Sequence, residues 1–347
     1  MMPNLTVKQA PKPRFKVKLL VRSVMGITIL GGVGAVYYST IQPPWLLGFL
    51  TILVAVVGIL SIFVLFFRTG LLLWIGMMAV LVIWMLNDAP SNHRDWSPEY
   101  EIPAVAQVSG NKIAIHNIRN FTYTADAQPI PAYYDASFML DQLDTVDLVS
   151  SYWSGPAIAH IFLTFGFQDG RHLAISIETR RQKRFAYSAI AGFFHHFELF
   201  YVVADERDLI GTRTDIRHEQ VYLYRLELTP AQRQRLFLSY MKRVNYLADH
   251  PQWYNTLTDN CTTGVLALAG APPGTKYRLR VVLSGYVPEY AYEQGLLNKT
   301  TDFATLKKMS LIVRPDGTKI DDRYSKEIRD GLLLGRPYSA SPPKISN

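Results

Sequence analysis

The chain has a single cysteine, so any thiol chemistry must run through Cys261. It follows the polar turn Thr258-Asp259-Asn260 and opens an apolar run that ends at Gly270 and Pro272-Pro273. That pattern predicts a short helix capped by Asn260 or Asp259 and stopped by Gly270. The thiol would sit in the first turn, where unpaired N–H groups and the helix dipole favour an anion. The thiolate is the nucleophilic form. Against this stands the ordinary use of a lone cysteine as a small buried hydrophobe. Polar neighbours and the helix start favour chemistry without deciding it.

A thiol nucleophile needs a base in hydrogen-bond reach and a third polar group to orient that base. The histidines are His93, His116, His160, His172, His195, His196, His218 and His250. His160 is the first candidate, standing polar in the strand-like run Ala157–Phe167, with His172 and His250 behind it. The plain alternative is a buried histidine held by a hydrogen bond, with no catalytic role. Gln168-Asp169-Gly170 and the strictly alternating Leu173–Arg180 follow, which is a hairpin signal. Ser176, Glu178 and Arg180 share one face of the second strand. A three-residue loop over 168–170 sets His160 opposite Glu178. A two-residue loop, Asp169-Gly170, sets it opposite Thr179 and on the other side. The spacing leaves both open.

Two arginines are candidates for holding a phosphate or carboxylate. Arg119 lies on a strand-like segment, and Arg180 opens the basic stretch Arg180, Arg181, Lys183, Arg184. For each, a structural or solvated role is the plain alternative. One cysteine allows neither a zinc-type Cys/His set nor a disulfide within the chain. His195 and His196 are adjacent, so on a strand they face opposite ways and make no two-ligand metal face. No metal or cofactor is expected.

The elements that must position these residues begin with a membrane anchor. Of the 347 residues 49% are hydrophobic, which fits one domain plus an anchor better than two soluble domains. The net charge of +8 is partly local. Residues 1–22 carry Lys8, Lys12, Arg14, Lys16, Lys18 and Arg22 and no acid, which reads as a basic cytoplasmic tail rather than a nucleic-acid patch. Residues 23–86 hold three apolar runs: Ser23–Ile41, Trp45–Phe67 and Leu71–Leu86. A spanning helix needs about 20 apolar residues, and the third run qualifies with tilt. A cleaved signal peptide would be much shorter and would not recur. Gly26, Gly31, Gly32 and Gly34 offer a close-packing face to another helix. With the basic tail inside, three spans put everything after Asn87 outside the cytoplasm, which predicts a multi-pass inner-membrane protein with a periplasmic domain.

Residues 87–103 read as a linker. The domain at 104–300 opens with strands over Ala104–Tyr123 and adds the hairpin, strand-like segments at Phe193–Val203 and Gln220–Leu228, and a charged loop at Asp205–Arg213. Thr229-Pro230-Ala231-Gln232 is a capping box with Pro at the first helical position. The amphipathic helix that follows, 230–248, carries Leu236, Phe237, Tyr240, Val244 and Leu247 on one face. Residues 301–347 read as a polar tail, with Ser339–Asn347 disordered. The expected fold class is α+β: three N-terminal transmembrane helices, then an antiparallel sheet packed on the 230–248 helix and the Cys261 helix.

Several of these segments resemble a known family. They are Ala159–Phe167, Ser176–Arg180, Asp208-Leu209-Ile210, Tyr222-Leu223-Tyr224 and Trp253–Thr263. Together they resemble the bacterial family of unknown-function domains that includes the periplasmic domain of Lnb, a lipoprotein N-acyltransferase. The resemblance covers roughly residues 105–290 and excludes the anchor. The order of His before Cys is also similar to permuted papain-like (NlpC-type) enzymes. The resemblance implies Cys261 as nucleophile and His160 as base. In the mechanism it implies, Glu178 would orient His160, or Asn260 would contribute polar support, and Arg119 and Arg180 would hold a phosphate or carboxylate. The implied chemistry is acyl transfer or hydrolysis on a membrane lipid or lipoprotein through a thioester. A cell-wall amidase or peptidase with the same pair, and a non-catalytic envelope scaffold, are the competing expectations.

Overall fold

The computed structural model describes residues 13–124, 126–315 and 317–332. The described residues divide into two compact units, 13–90 with 190–196, and 91–189 with 197–332.

The first unit contains helices α1 (Pro13–Tyr37), α2 (Pro44–Ile59) and α3 (Phe67–Asn87), with a π-helical turn, Leu60–Val64, prolonging α2. All three are long and apolar enough to cross a membrane, over Lys16–Tyr37, Pro44–Val64 and Phe67–Asn87. The first span starts earlier than its apolar run, because Lys16, Lys18 and Arg22 continue the helix rather than precede it. A Cβ on Gly32 would lie 2.8 Å from Leu81 of α3, so that glycine does admit a neighbouring helix. The Trp74 indole donates to Thr28 Oγ1 at 3.0 Å across the same pair. Residues 190–196 pack within this unit, with Phe194 stacked on Tyr38 at 5.4 Å. His196 bonds the Tyr38 carbonyl at 2.8 Å and His195 faces Asp88 at 3.2 Å.

Among the described residues the second unit is built on ten strands: β1 (Val105–Ser109), β2 (Lys112–Arg119), β3 (Thr122–Tyr123), β4 (Pro129–Ile130), β5 (Tyr133–Met139), β6 (Leu143–Tyr152), β7 (His160–Phe167), β8 (His172–Arg180), β9 (Glu198–Asp205) and β10 (Gln220–Arg225). Helices α4 (Glu206–Leu209), α5 (Pro230–Asp249), α6 (Cys261–Leu268), α7 (Leu279–Val282), α8 (Val287–Glu293), α9 (Phe303–Met309) and α10 (Tyr324–Glu327) accompany them. Among the described residues eight strands form one sheet, in the order β1-β2-β9-β8-β7-β6-β10, with β5 beside β2. Its pairs are antiparallel except β2 with β9, which meet in parallel at Arg119 and Ala204. The expected class, three membrane-length helices followed by a mostly antiparallel α+β domain, is the one observed.

Both faces of the sheet are covered. Leu236, Phe237, Tyr240, Val244 and Leu247 of α5 are buried in the same cluster as Phe165 and Phe167 of β7. The Thr229–Gln232 capping box starts that helix as its residues predict. Strand β9 begins at Glu198, not at Phe193, because 193–196 pack with the other unit.

The opposite face is covered by residues expected to form a polar tail. Ile312, Tyr324 and Ile328 are buried there with Phe162, Ala174 and Val202. Ile312 donates to the Val221 carbonyl at 2.9 Å, so residues 310–312 run along β10. Arg329 reaches the buried Asp147 at 3.0 Å and Glu206 at 2.7 Å, and Arg225 closes on Asp147 from the other side. Residues 301–332 therefore belong to the domain, while Ser339–Asn347 lie outside the described residues.

Candidate functional site

The hairpin question resolves through register. Gly166 pairs with His172 and Leu163 with Ile175, and Phe167 donates to the Arg171 carbonyl at 2.9 Å. That is the three-residue loop, and in its register His160 stands opposite Glu178. His160 Nε2 lies 3.0 Å from Glu178 Oε1 and 2.6 Å from Ser176 Oγ. Ser176 in turn donates to Glu178 at 2.7 Å.

Cys261 is the first residue of α6, and Asn260 is its N-cap. The sulfur is half-buried and lies 3.9 Å from the Thr262 hydroxyl, with the His160 ring and the Ile161 amide near enough to favour its anion. Because Nε2 of His160 serves Glu178 and Ser176, Nδ1 is the nitrogen left for the sulfur. The ring thus stands between the start of α6 and the Glu178 carboxylate of β8.

Charge follows from this geometry. Burial alone would push the Cys261 thiol up, but the His160 imidazolium and the Ile161 N–H hold it below the ordinary thiol value. Burial alone would depress His160, yet the Glu178 carboxylate, aided by the sulfur, outweighs both burial and Arg213 and raises it to about 9. Glu178 resists burial in the same way and stays well below the carboxylate range, because His160, Arg213 and Ser176 all favour its anion. Both shifts favour the charged forms, a thiolate at Cys261 and an imidazolium at His160.

Arg213 is the residue sequence reasoning missed. It donates to Glu178 Oε1 at 3.1 Å and to Glu219 Oε2 at 3.2 Å, and Ser151 also bonds Glu219. In the sequence it stands in a charged loop 35 residues beyond Glu178, with nothing local to single it out.

The other sequence-predicted residues come out differently. Arg119 is buried and clamps Asp208 with two bonds of 2.8 and 2.9 Å. Arg180 is buried against the Tyr100 and Glu101 carbonyls and Asn92 Oδ1. Neither lines the cavity at Cys261; Arg181, Arg213 and Arg217 do. The strand alternation that placed Arg180 beside Glu178 was sound, but its guanidinium satisfies buried backbone carbonyls instead.

Asn260 acts on the helix start. Its Oδ1 accepts from the Thr262 and Thr263 N–H groups at 2.9 Å each, and its Nδ2 donates to the Thr256 carbonyl at 2.7 Å. The Thr263 hydroxyl accepts from the Asn260 N–H at 2.9 Å, completing a capping box. These bonds consume first-turn donors, so the Cys261 N–H is the one the cap leaves for an anion. Asn260→Ala should cost about 1 kcal/mol, which lowers Tm by about 2–4 °C for a domain of this size. Thermal unfolding of the full chain in detergent would read it, and an unchanged Tm would mean the cap adds no stability.

The cavity in front of the sulfur has a volume of about 460 Å³. Trp153, Ile158, Tyr187, Val281 and Val282 supply apolar wall, and Arg181, Arg217 and Glu219 supply charge. Among the described residues no cluster of His, Cys, Asp or Glu is arranged to hold a metal ion.

Three membrane-length helices followed by an α+β domain, whose cavity is lined by Cys261, His160 and Glu178, define a membrane-associated domain with a polar site. Residues 130–285 match the family described as the Lnb N-terminal periplasmic domain, the family that the residues resemble. His160, Glu178, Arg180, Asn260 and Cys261 fall inside that match, and Arg119 falls before it. The match and the three helices fit a membrane protein with a periplasmic domain. No curated protein and no solved structure matches the chain.

Proposed function

We propose that this chain is a thiol enzyme of the bacterial inner membrane that moves or hydrolyses an acyl group of a lipid or lipoprotein. The observation that carries the reading is Cys261 at the start of α6 lining the same cavity as His160, whose Nε2 lies 3.0 Å from the Glu178 carboxylate. A purely structural histidine has no need of a carboxylate that keeps it charged beside a thiol. The order of elements, His strand before Cys helix, supports a permuted papain-like arrangement.

Cys261 Sγ attacks the acyl carbonyl carbon, forming a C–S bond. The Cys261 N–H faces the developing oxyanion. As the tetrahedral intermediate collapses, the bond from carbonyl carbon to the leaving oxygen breaks. The His160 imidazolium gives its Nδ1 proton to that oxygen. The thioester then meets an amine or water. Neutral His160 takes the proton from the incoming nucleophile, and the thiolate leaves. Glu178 orients the ring and favours the imidazolium, with Ser176 and Arg213 holding Glu178 in place.

The full chain in vesicles containing phospholipid with an alkyne-tagged acyl chain should acquire the tag on Cys261. Neutral hydroxylamine should remove it, and Cys261→Ser should never carry a hydroxylamine-labile tag. Absence of any acyl-enzyme, with phospholipid and with a diacylated lipopeptide, would sink the proposal.

A further inference from the structure

The stretch after α6 reads Lys276-Tyr277-Arg278-Leu279-Arg280-Val281-Val282, with apolar and cationic residues interleaved. Val281 is buried, whereas Tyr277, Leu279 and Val282 are 70%, 71% and 48% exposed. Val281 and Val282 line the cavity that holds Cys261, together with the exposed Trp153 and Ile158. The stretch is fixed beside the start of β7, since Gly285 donates to the Ala157 carbonyl at 3.0 Å and Ser284 Oγ accepts from Ala159 at 3.0 Å. Its cations are partly committed: Arg280 pairs with Glu289 and Glu293. Lys276 and Arg278 make no ion pair among the described residues; they lie over the Tyr277 and Tyr290 rings at 5.2 and 5.7 Å.

We propose that residues 276–282 are a lipid-insertion rim for the thiol cavity. Tyr277, Leu279 and Val282 enter the headgroup boundary, and Lys276 and Arg278 meet anionic headgroups. A phenol, two aliphatic side chains and flexible cations in one short stretch suit that zone, where apolar bodies sink and charges stay wet. Seven residues are too few for a stable protein interface, which takes about 800 Å² from each partner. The same chain carries three membrane-length helices, so a bilayer is always within its reach. Resting on the thiol reading above, the rim gives an acyl ester a path from lipid, past Val282, to Cys261.

The test uses the full chain in nanodiscs as Cys261→Ser/Leu279→Cys, labelled with bimane at 279. A second protein, Cys261→Ser/Val108→Cys, is the exposed control on β1. Insertion to about 5–10 Å should let lipids brominated high on the acyl chain quench the probe at 279 about twofold or more. The probe at 108 should be unaffected. Equal, weak lipid quenching at both positions overturns the proposal. Shielding of 279 from aqueous iodide without lipid quenching overturns it too, and indicates cover by protein. The reporter lacks the thiol, so the outcome does not depend on acyl chemistry. In the native-thiol chain, Leu279→Asp should lower turnover of a vesicle-borne ester by tenfold or more and spare a water-soluble short-chain ester. Equal loss on both would count against lipid delivery, and no turnover of either by the parent chain would strike the thiol reading alone.

Discussion

His160→Gln should lower acyl transfer by about a thousandfold or more, and Cys261→Ala should do the same, since paired nucleophile and base fail together. The double variant should be little worse than either single one. The pH dependence of alkylation separates this from simple misfolding. Iodoacetamide reacts with thiolate, so in the parent chain its rate should rise to half-maximum below the ordinary thiol pKa of about 8.5. In His160→Gln the imidazolium is gone and burial acts unopposed by it, so the half-maximum should move up to or past that value. Transfer itself needs the imidazolium, so it should fall as pH rises through about 9, the value to which Glu178, against burial, raises His160. Glu178→Gln should move that alkaline limb down, because burial then acts on an imidazolium that has lost its strongest counter-charge. Alkylation rates independent of residue 160 would remove the case for a coupled pair.

Asp147→Ala should cost about 3–5 kcal/mol, the scale on which a buried charge loses its partner, and lower Tm by roughly 10 °C. Asp147 is fully buried between Arg225 and Arg329 on β6, away from solvent that might compensate either guanidinium. Thermal unfolding of the full chain would read the loss, and a drop no larger than that of Asp302→Ala, which removes the exposed N-cap of α9, would refute it. Acid should spare the same cluster until very low pH. Burial opposes the Glu206 anion, but Arg329 outweighs it and holds the carboxyl at about 2. A carboxyl depressed in the folded state lends stability above its ordinary range and loses it as pH falls through the folded value.

The sequence was most legible where the grammar is local. Asn260 before Cys261, Thr229 before Pro230-Ala231-Gln232, and alternation along Leu173–Arg180 each involve neighbours within a turn or a strand, and each element appears where those residues put it. Register was not legible, because one residue of loop length decides which face His160 takes. Arg213 and Arg329 were not legible either. Their partners lie 35 and 182 residues away, and only the folded sheet brings them together. Residues 301–332 misled for the same reason: Ile312, Tyr324 and Ile328 are scattered among polar residues, without a period that announces a buried face.

The Arg329 ion pairs also bear on how the chain is made. Synthesis delivers Asp147 and Glu206 well over a hundred residues before Arg329, so until then Asp147 has Arg225 alone and Glu206 lacks its guanidinium. Completion of that layer has to wait for residue 329 to emerge, which makes it a late event in folding rather than one that keeps pace with synthesis.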